Sequence, residues 1–246
     1  MKIIYRLTGF LILCFCACNV VEKKDLELIT EPEQKKVAKI DSLELLDSVP
    51  HVKIGVQVWM SNNVSTTTFS DGREIKKVRS IKDWNKYNER KIPCCYVLKN
   101  GDVLYNGYVL LDSVSVCPKG YRLPVADDYL MLAAYLGGRE KFTEKVMTKL
   151  AKYDWSVEDW NEAEQSLYSR KVVSNNQSGF GANKGGYLFN GELADGTCSF
   201  FWINSSTDST NTQLKALYIG NCQSDMEHGI GNFAIENGFS IRCIRK

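Results

Sequence analysis

The chain has 246 residues, 31 basic and 29 acidic side chains, a formal net charge of +2, 44% hydrophobic residues and nine Cys. That length suits one domain with a sizeable core plus short flanking segments. No Lys/Arg block large enough for a phosphate footprint occurs, so nucleic acid is not an expected partner. Only His51 and His228 are present and no C-x-x-C pair exists, so neither a metal site nor a cofactor is expected.

In chain order, Lys2 and Arg6 come first, residues 7–17 are almost wholly apolar, and Asn19, Glu22, Lys23, Lys24 and Asp25 follow Cys18. A basic start, a short apolar run and a small residue form the layout of a secretory signal, and the run falls short of the ~20 residues of a membrane-spanning helix. Cys18 behind Ala17 resembles the lipobox of bacterial lipoproteins, in which the thiol is acylated after cleavage; Phe15 stands where Leu is usual. The alternative is a plain signal peptide cut near Ala17, with Cys18 free. Residues 1–17 are therefore expected to be a lipoprotein signal peptide and Cys18 the lipidation site, reaching the membrane through acyl chains at ~0.8 kcal/mol per buried CH₂. The expected location is the cell envelope, as an outer-membrane lipoprotein facing the periplasm or the surface. Lys2 and Arg6 are the only charges in residues 1–17, so the trimmed chain carries 29 basic and 29 acidic residues. Six Cys lie beyond Cys18, namely Cys94, Cys95, Cys117, Cys198, Cys222 and Cys243. An even number in an exported domain suggests disulfides, with 15 possible pairings.

Residues 18–50 are charged, lack Gly and read as a lipid-anchored stalk, partly helical around residues 42–46. Fully extended, such a segment spans ~100 Å. Residues 51–246 form the expected domain. Alternation at Val52, Ile54, Val56 and Val58 predicts a strand over residues 52–60, and Asp71-Gly72 is a turn signal. Residues 103–111 read as a strand. Residues 127–136 read as the first helix, with Met131, Leu132, Tyr135 and Leu136 as its apolar face and Gly137-Gly138 as its stop. A second helix is predicted over residues 139–152, with Phe142, Val146 and Leu150 on one side. Residues 153–178 read as irregular and polar. Short strands follow at 185–189, 199–203, 213–219, 229–235 and 239–244.

Five segments then line up: V-K-I-G-V-Q-V-W-M-S-N-N (52–63), C-P-K-G-Y-R-L-P (117–124), Y-L-G-G (135–138), S-G-F-G-A-N-K-G-G-Y (178–187) and G-F-S-I-R-C-I-R-K (238–246), with F-W-I-N-S-S-T (201–207) between the last two. Their order and content resemble the Fibrobacter succinogenes major paralogous domain. Departures are Val64 for Leu, Tyr121 for the usual Trp, and Ile203-Asn204 inserted into W-S-S. The resemblance implies export and an α+β, C-type lectin-like domain: two helices with short, mostly antiparallel strands, stabilised by disulfides. It implies no established activity. By that fold likeness Cys117 would bond Cys243, and Cys198 with Cys222 is a second candidate pair bridging strands. Cys94-Cys95 is open between a vicinal disulfide, pairing elsewhere and a reduced state.

No catalytic constellation emerges. His51 sits at the stalk junction and His228 in a turn, so neither lies beside a predicted nucleophile. Asp127/Asp128 and Glu158/Asp159 read as helix-start or solvated charges. The run G-F-G-A-N-K-G-G lacks phosphate-loop spacing, and the E-P-N and W-N-D strings of calcium-dependent lectins are absent. A thiol or copper oxidase would draw on Cys94/Cys95 or Cys198/Cys222. Trp155, Trp160 and Tyr168 are the candidate ligand-binding residues, with a core role over the second helix as the alternative. The leading expectation is a non-enzymatic, lipid-anchored extracytoplasmic module binding glycan or protein. A structural or adhesion subunit comes second and the oxidase-like enzyme third.

Overall fold

The computed structural model describes residues 48–139, 141–194, 198–205, 212–220 and 229–246. The expected signal segment, Cys18 and nearly all of the expected stalk lie outside the described residues. Strand β1 (His51–Ile54) turns into β2 (Gln57–Met60) through Gly55-Val56. Gly55 has φ 61° at the first central position, the requirement of a type II′ turn, whose twist matches a two-stranded ribbon. Strand β2 also pairs with the last strand, β15 (Ile244–Arg245), which pairs in turn with β6 (Tyr121–Arg122). The start and end of the domain are thus hydrogen-bonded side by side.

A six-stranded sheet runs in the order β10 (Glu192–Ala194), β9 (Tyr187–Phe189), β14 (Gly238–Phe239), β5 (Val103–Asn106), β4 (Cys94–Val97) and β3 (Lys76–Val78). Only β3 and β4 are parallel, and helix α1 (Ile81–Glu89) makes the crossover that a parallel pair needs. Ser80 caps α1 by accepting the Asp83 N–H, and Trp84 on its inner face is fully buried.

At the centre lies an antiparallel sheet of β11 (Cys198–Trp202), β12 (Gln213–Gly220) and β13 (Gly229–Ala234). Side chains alternate across a strand, so a sheet buried on both faces reads as a continuous apolar run. Phe200, Trp202, Leu214, Ala216 and Tyr218 fill one core. Phe201, Ile203, Leu217 and Ile219 fill the other. In the first core the Phe239 ring stacks on Phe200 and tilts against Trp202, each at 4.6 Å between centroids. The second core is covered by helix α3 (Ala126–Tyr135), helix α4 (Glu144–Leu150) and a hairpin of β7 (Trp155–Asn161) and β8 (Ser166–Val172). Arg170 fixes the hairpin to α4 by pairing with Glu144 at 2.7 Å and with Asp159.

The expected two-helix, C-type lectin-like α+β fold is corrected. Among the described residues fifteen strands form four sheets, and strand dominates. Three local misreadings account for the difference. Residues 153–178, expected as irregular, carry the β7–β8 hairpin; its strands are half-exposed, so no continuous apolar run marks them. The single strand expected over residues 103–111 breaks at Gly107 and continues as helix α2 (Tyr108–Leu111). A Cβ at Gly107 would stand 2.5 Å from the Ile235 side chain, so close approach rather than strand periodicity governs that point. The second helix shortens to residues 144–150, capped by Thr143. The first helix lies almost as expected, the strand expected over residues 52–60 turns back at Gly55-Val56 into the β1–β2 hairpin, and no sequence pattern predicts α1, β3, β4, β6 or β10. Among the described residues no helix is long and apolar enough to cross a membrane.

Candidate ligand-binding surface

The motifs shared with the family are spent on the core. Trp59 donates its indole N–H to Gln57 Oε1 at 3.1 Å, and Gln57 Nε2 donates to the Asp128 carbonyl at 2.8 Å. The Asp128 carboxylate in turn holds Arg122 through two bonds of 2.6 and 2.7 Å and accepts the Val125 N–H at the head of α3. Arg242, in the final motif, is fully buried. Its guanidinium donates to Asn63 Oδ1 at 2.9 and 2.6 Å, to the Met60 carbonyl at 3.1 Å, and to the Phe180 and Gly181 carbonyls. It also lies 4.6 Å from the centroid of the Phe180 ring. Among the described residues no carboxylate forms an ion pair with it, and burial pushes its pKa down to about 10. Asn63, Met60, Phe180 and Arg242 thus join the first, fourth and last motifs into one clasp.

The cysteines sort cleanly. Cys117 and Cys243 form a disulfide with Cα atoms 5.9 Å apart, as the fold likeness implied, even though the lectin-like topology itself is absent. Cys198 is disulfide-bonded; its expected partner Cys222 lies outside the described residues. Cys94 and Cys95 are free and buried. As successive residues of β4 they face opposite ways, Cys94 toward Trp84, Leu104 and Leu188 and Cys95 toward Val103 and Tyr105. Their sulfurs do not converge on one site. Asn106 Nδ2 donates to Cys94 Sγ at 3.2 Å, and burial pushes the Cys94 thiol up to about 12 and the Cys95 thiol up to about 11. Among the described residues no group of three or more His, Cys, Asp or Glu could hold a metal ion. His51 is exposed, its Nδ1 2.8 Å from the Val49 carbonyl, and His228 lies outside the described residues.

The three aromatic candidates are not gathered on one surface. Trp155 is 5% exposed, in the core beneath the hairpin, with its indole N–H unpartnered among the described residues. Tyr168 is exposed and stands opposite Asp159. Trp160 takes the next register position, opposite Leu167; its side chain lies outside the described residues.

A different ring is presented instead. Tyr135, at the end of α3, is 65% exposed. It was expected on the apolar face of the first helix, but the buried stripe is Tyr129, Leu132, Ala133 and Leu136. Met131 and Tyr135, one turn apart, fall outside that stripe. The spacing could have shown this, because two apolar residues off a helix's buried stripe must face water. The Tyr135 ring rests on the β1–β2 turn: a Cβ at Gly55 would lie 2.8 Å from its Cδ2. One ring face is therefore held against backbone. Beside it opens a cleft of about 310 Å³ lined by Lys53, Ile54, Tyr135, Leu136, Lys149, Gln177 and Ser178. Lys149 Nζ donates to the Leu136 carbonyl at 2.8 Å, and Ser178 Oγ donates to the Lys149 carbonyl at 2.7 Å. An immobilised ring with an amide, a hydroxyl and ammonium groups beside it can stack on an apolar ring face and hydrogen-bond its substituents.

A larger cleft of about 520 Å³ lies between Pro50 and Pro118. Three of its polar side chains are engaged: Asn63 holds Arg242 and Ser240, and Thr66 bonds Thr68. Its one aromatic, Phe69, is buried beneath Arg73. It offers no free ring face, and the Tyr135 cleft is the better candidate.

Comparisons with curated proteins and with solved structures gave no match. Residues 52–245 do match the Fibrobacter succinogenes major domain, most of the chain and all of its described strands except the first residue of β1. The chain belongs to the Fibrobacter succinogenes major domain family.

Proposed function

We propose that this protein is a non-enzymatic, extracytoplasmic glycan-binding module, anchored to the outer membrane through Cys18 and carried on the stalk of residues 18–50. The carrying observation is Tyr135, an exposed ring braced on Gly55 at the mouth of a cleft with Gln177 and Ser178. Little ordering entropy remains to be lost when a sugar stacks on a ring already fixed by the fold. The Cys117–Cys243 disulfide supports an oxidising, exported setting.

A second reading, assembly with partner proteins, draws support from the β7–β8 hairpin. It is a two-stranded sheet with two open edges, and Leu167, Tyr168 and Val173 are exposed along it. Self-association would appear in sedimentation as a concentration-dependent oligomer.

The glycan reading is tested by screening residues 19–246 on a broad array of glycans and cell-wall polysaccharides, with and without chelator. Saturable, chelator-insensitive binding that disappears in Tyr135→Ala supports it. An array with no hit sinks it and moves the weight to protein partners.

A further inference from the structure

We propose that the ligand of the Tyr135 cleft is an acidic glycan, one whose sugar rings carry carboxylate or sulfate groups; this rests on the glycan reading above. The cleft wall contains Lys53 and Lys149 and no acidic side chain. Lys145 precedes Lys149 by one turn of α4, so the two share a helix face. Lys152 follows just past the helix end. Its stem crosses Gly181, where a Cβ would lie 2.6 Å from Lys152 Cε and 3.0 Å from Nζ. That places its ammonium over the turn that supplies Gln177 and Ser178 to the cleft.

Among the described residues none of Lys53, Lys145, Lys149 and Lys152 pairs with a carboxylate. The acids nearest in sequence are committed elsewhere: Glu144 holds Arg170 and Asp154 holds Lys171. Lys149 offsets the partial negative charge at the end of α3 through its bond to the Leu136 carbonyl. The surplus positive charge around the cleft therefore comes from Lys53, Lys145 and Lys152. A chain of charged sugars could stack one ring on Tyr135 and lay its anionic groups along this ridge. A neutral glycan would leave the ridge unmatched.

The test is titration of the full mature chain with polygalacturonate, with its carboxyl-reduced neutral form and with a sulfated galactan, at low and high salt. The expected result is binding to one or both anionic polymers, at least tenfold weaker binding to the neutral form, and loss of affinity as salt rises. Lys53→Gln and Lys152→Gln, both on the surface, should each weaken binding roughly two- to fivefold. Salt dependence of the unaltered protein is read without any variant, so a misfolded variant cannot mask the outcome. Binding to carboxylate but not sulfate, or the reverse, identifies which group the ridge takes. Equal, salt-insensitive binding of charged and neutral forms overturns the acidic inference while leaving the glycan site standing. Absence of binding to all three, with neutral glycans bound elsewhere on the array, also overturns it. Stronger binding to phosphatidylglycerol vesicles than to any polymer overturns it in favour of a membrane-facing surface.

Discussion

Removing the Cys117–Cys243 bond by the double substitution Cys117→Ala/Cys243→Ala gives the sharpest stability prediction. The bond closes a loop with a sequence separation of 126. On the chain-entropy account a loop of that length restricts the unfolded chain by about 5 kcal/mol. The native-state loss is smaller but of the same sign, since both sulfurs are buried and leave a small cavity. Against a typical stability of ~5–15 kcal/mol, that is enough to leave a marginal domain. Strand β15 has only two residues, and the bond ties its approach at Cys243 to the segment before β6. Urea unfolding followed by tryptophan fluorescence reads the effect. The midpoint should fall steeply and the slope should rise, because the released chain exposes more surface when unfolded. A loss below about 1 kcal/mol with an unchanged slope would refute the reasoning, showing that the bond restricts the unfolded chain little and that β15 is held by its pairing with β2 and β6.

Further outcomes follow from the buried polar groups. Cys94 and Cys95 should resist a disulfide-exchange reagent in the native protein and react at once on denaturation; fast native reaction would contradict their burial. Alkaline pH should destabilise the fold. Cys94 is raised from 9.0 to about 12, Cys95 to about 11, and burial also raises Tyr105, Tyr129 and Tyr153. A folded pKa above the unfolded one gives stability that is complete below the unfolded value and is lost as pH rises toward the folded one. Arg242, lowered to about 10, works in the opposite sense, but the raised groups outnumber it. Melting temperature should therefore decline from about pH 9 upward, and a flat profile to pH 11 would contradict the assignment. Arg242→Met should cost roughly 3–5 kcal/mol, because Asn63 Oδ1 and the Met60 and Phe180 carbonyls lose their donor inside the core. A cost under 1 kcal/mol would show that the clasp is dispensable.

The sequence carries the elements whose cause is local. Alternation at Val52, Ile54 and Val58 marks extended chain over residues 52–60, although the single expected strand breaks at Gly55-Val56 into a hairpin, and Gly137-Gly138 marks the end of the first helix. The apolar stretches 200–203 and 216–219 mark the doubly buried parts of the central strands, while Gln213 and Lys215 at the start of β12 are exposed. Other features depend on contacts remote in sequence. Gly107 breaks a strand because Ile235 approaches it, and the β7–β8 hairpin is held by Arg170 reaching Glu144. The candidate site was missed for a related reason. Trp155 looked free to meet a ligand because its segment is polar, yet it packs under the hairpin. Tyr135 looked like core because its neighbours are apolar, although its phase on α3 points away from them. Lys53, Gln177 and Ser178 reach the cleft only through the pairing of β1 and the turn after β8, which no local pattern reveals.

The most direct measurement is a calorimetric titration of the strongest array hit into the mature chain and into Tyr135→Ala and Tyr168→Ala. Stacking on Tyr135 predicts roughly five- to tenfold loss of affinity in Tyr135→Ala, from about 1–1.5 kcal/mol of aromatic contact, and no change in Tyr168→Ala. Full affinity in Tyr135→Ala with loss in Tyr168→Ala would contradict the account and place the ligand on the β7–β8 hairpin.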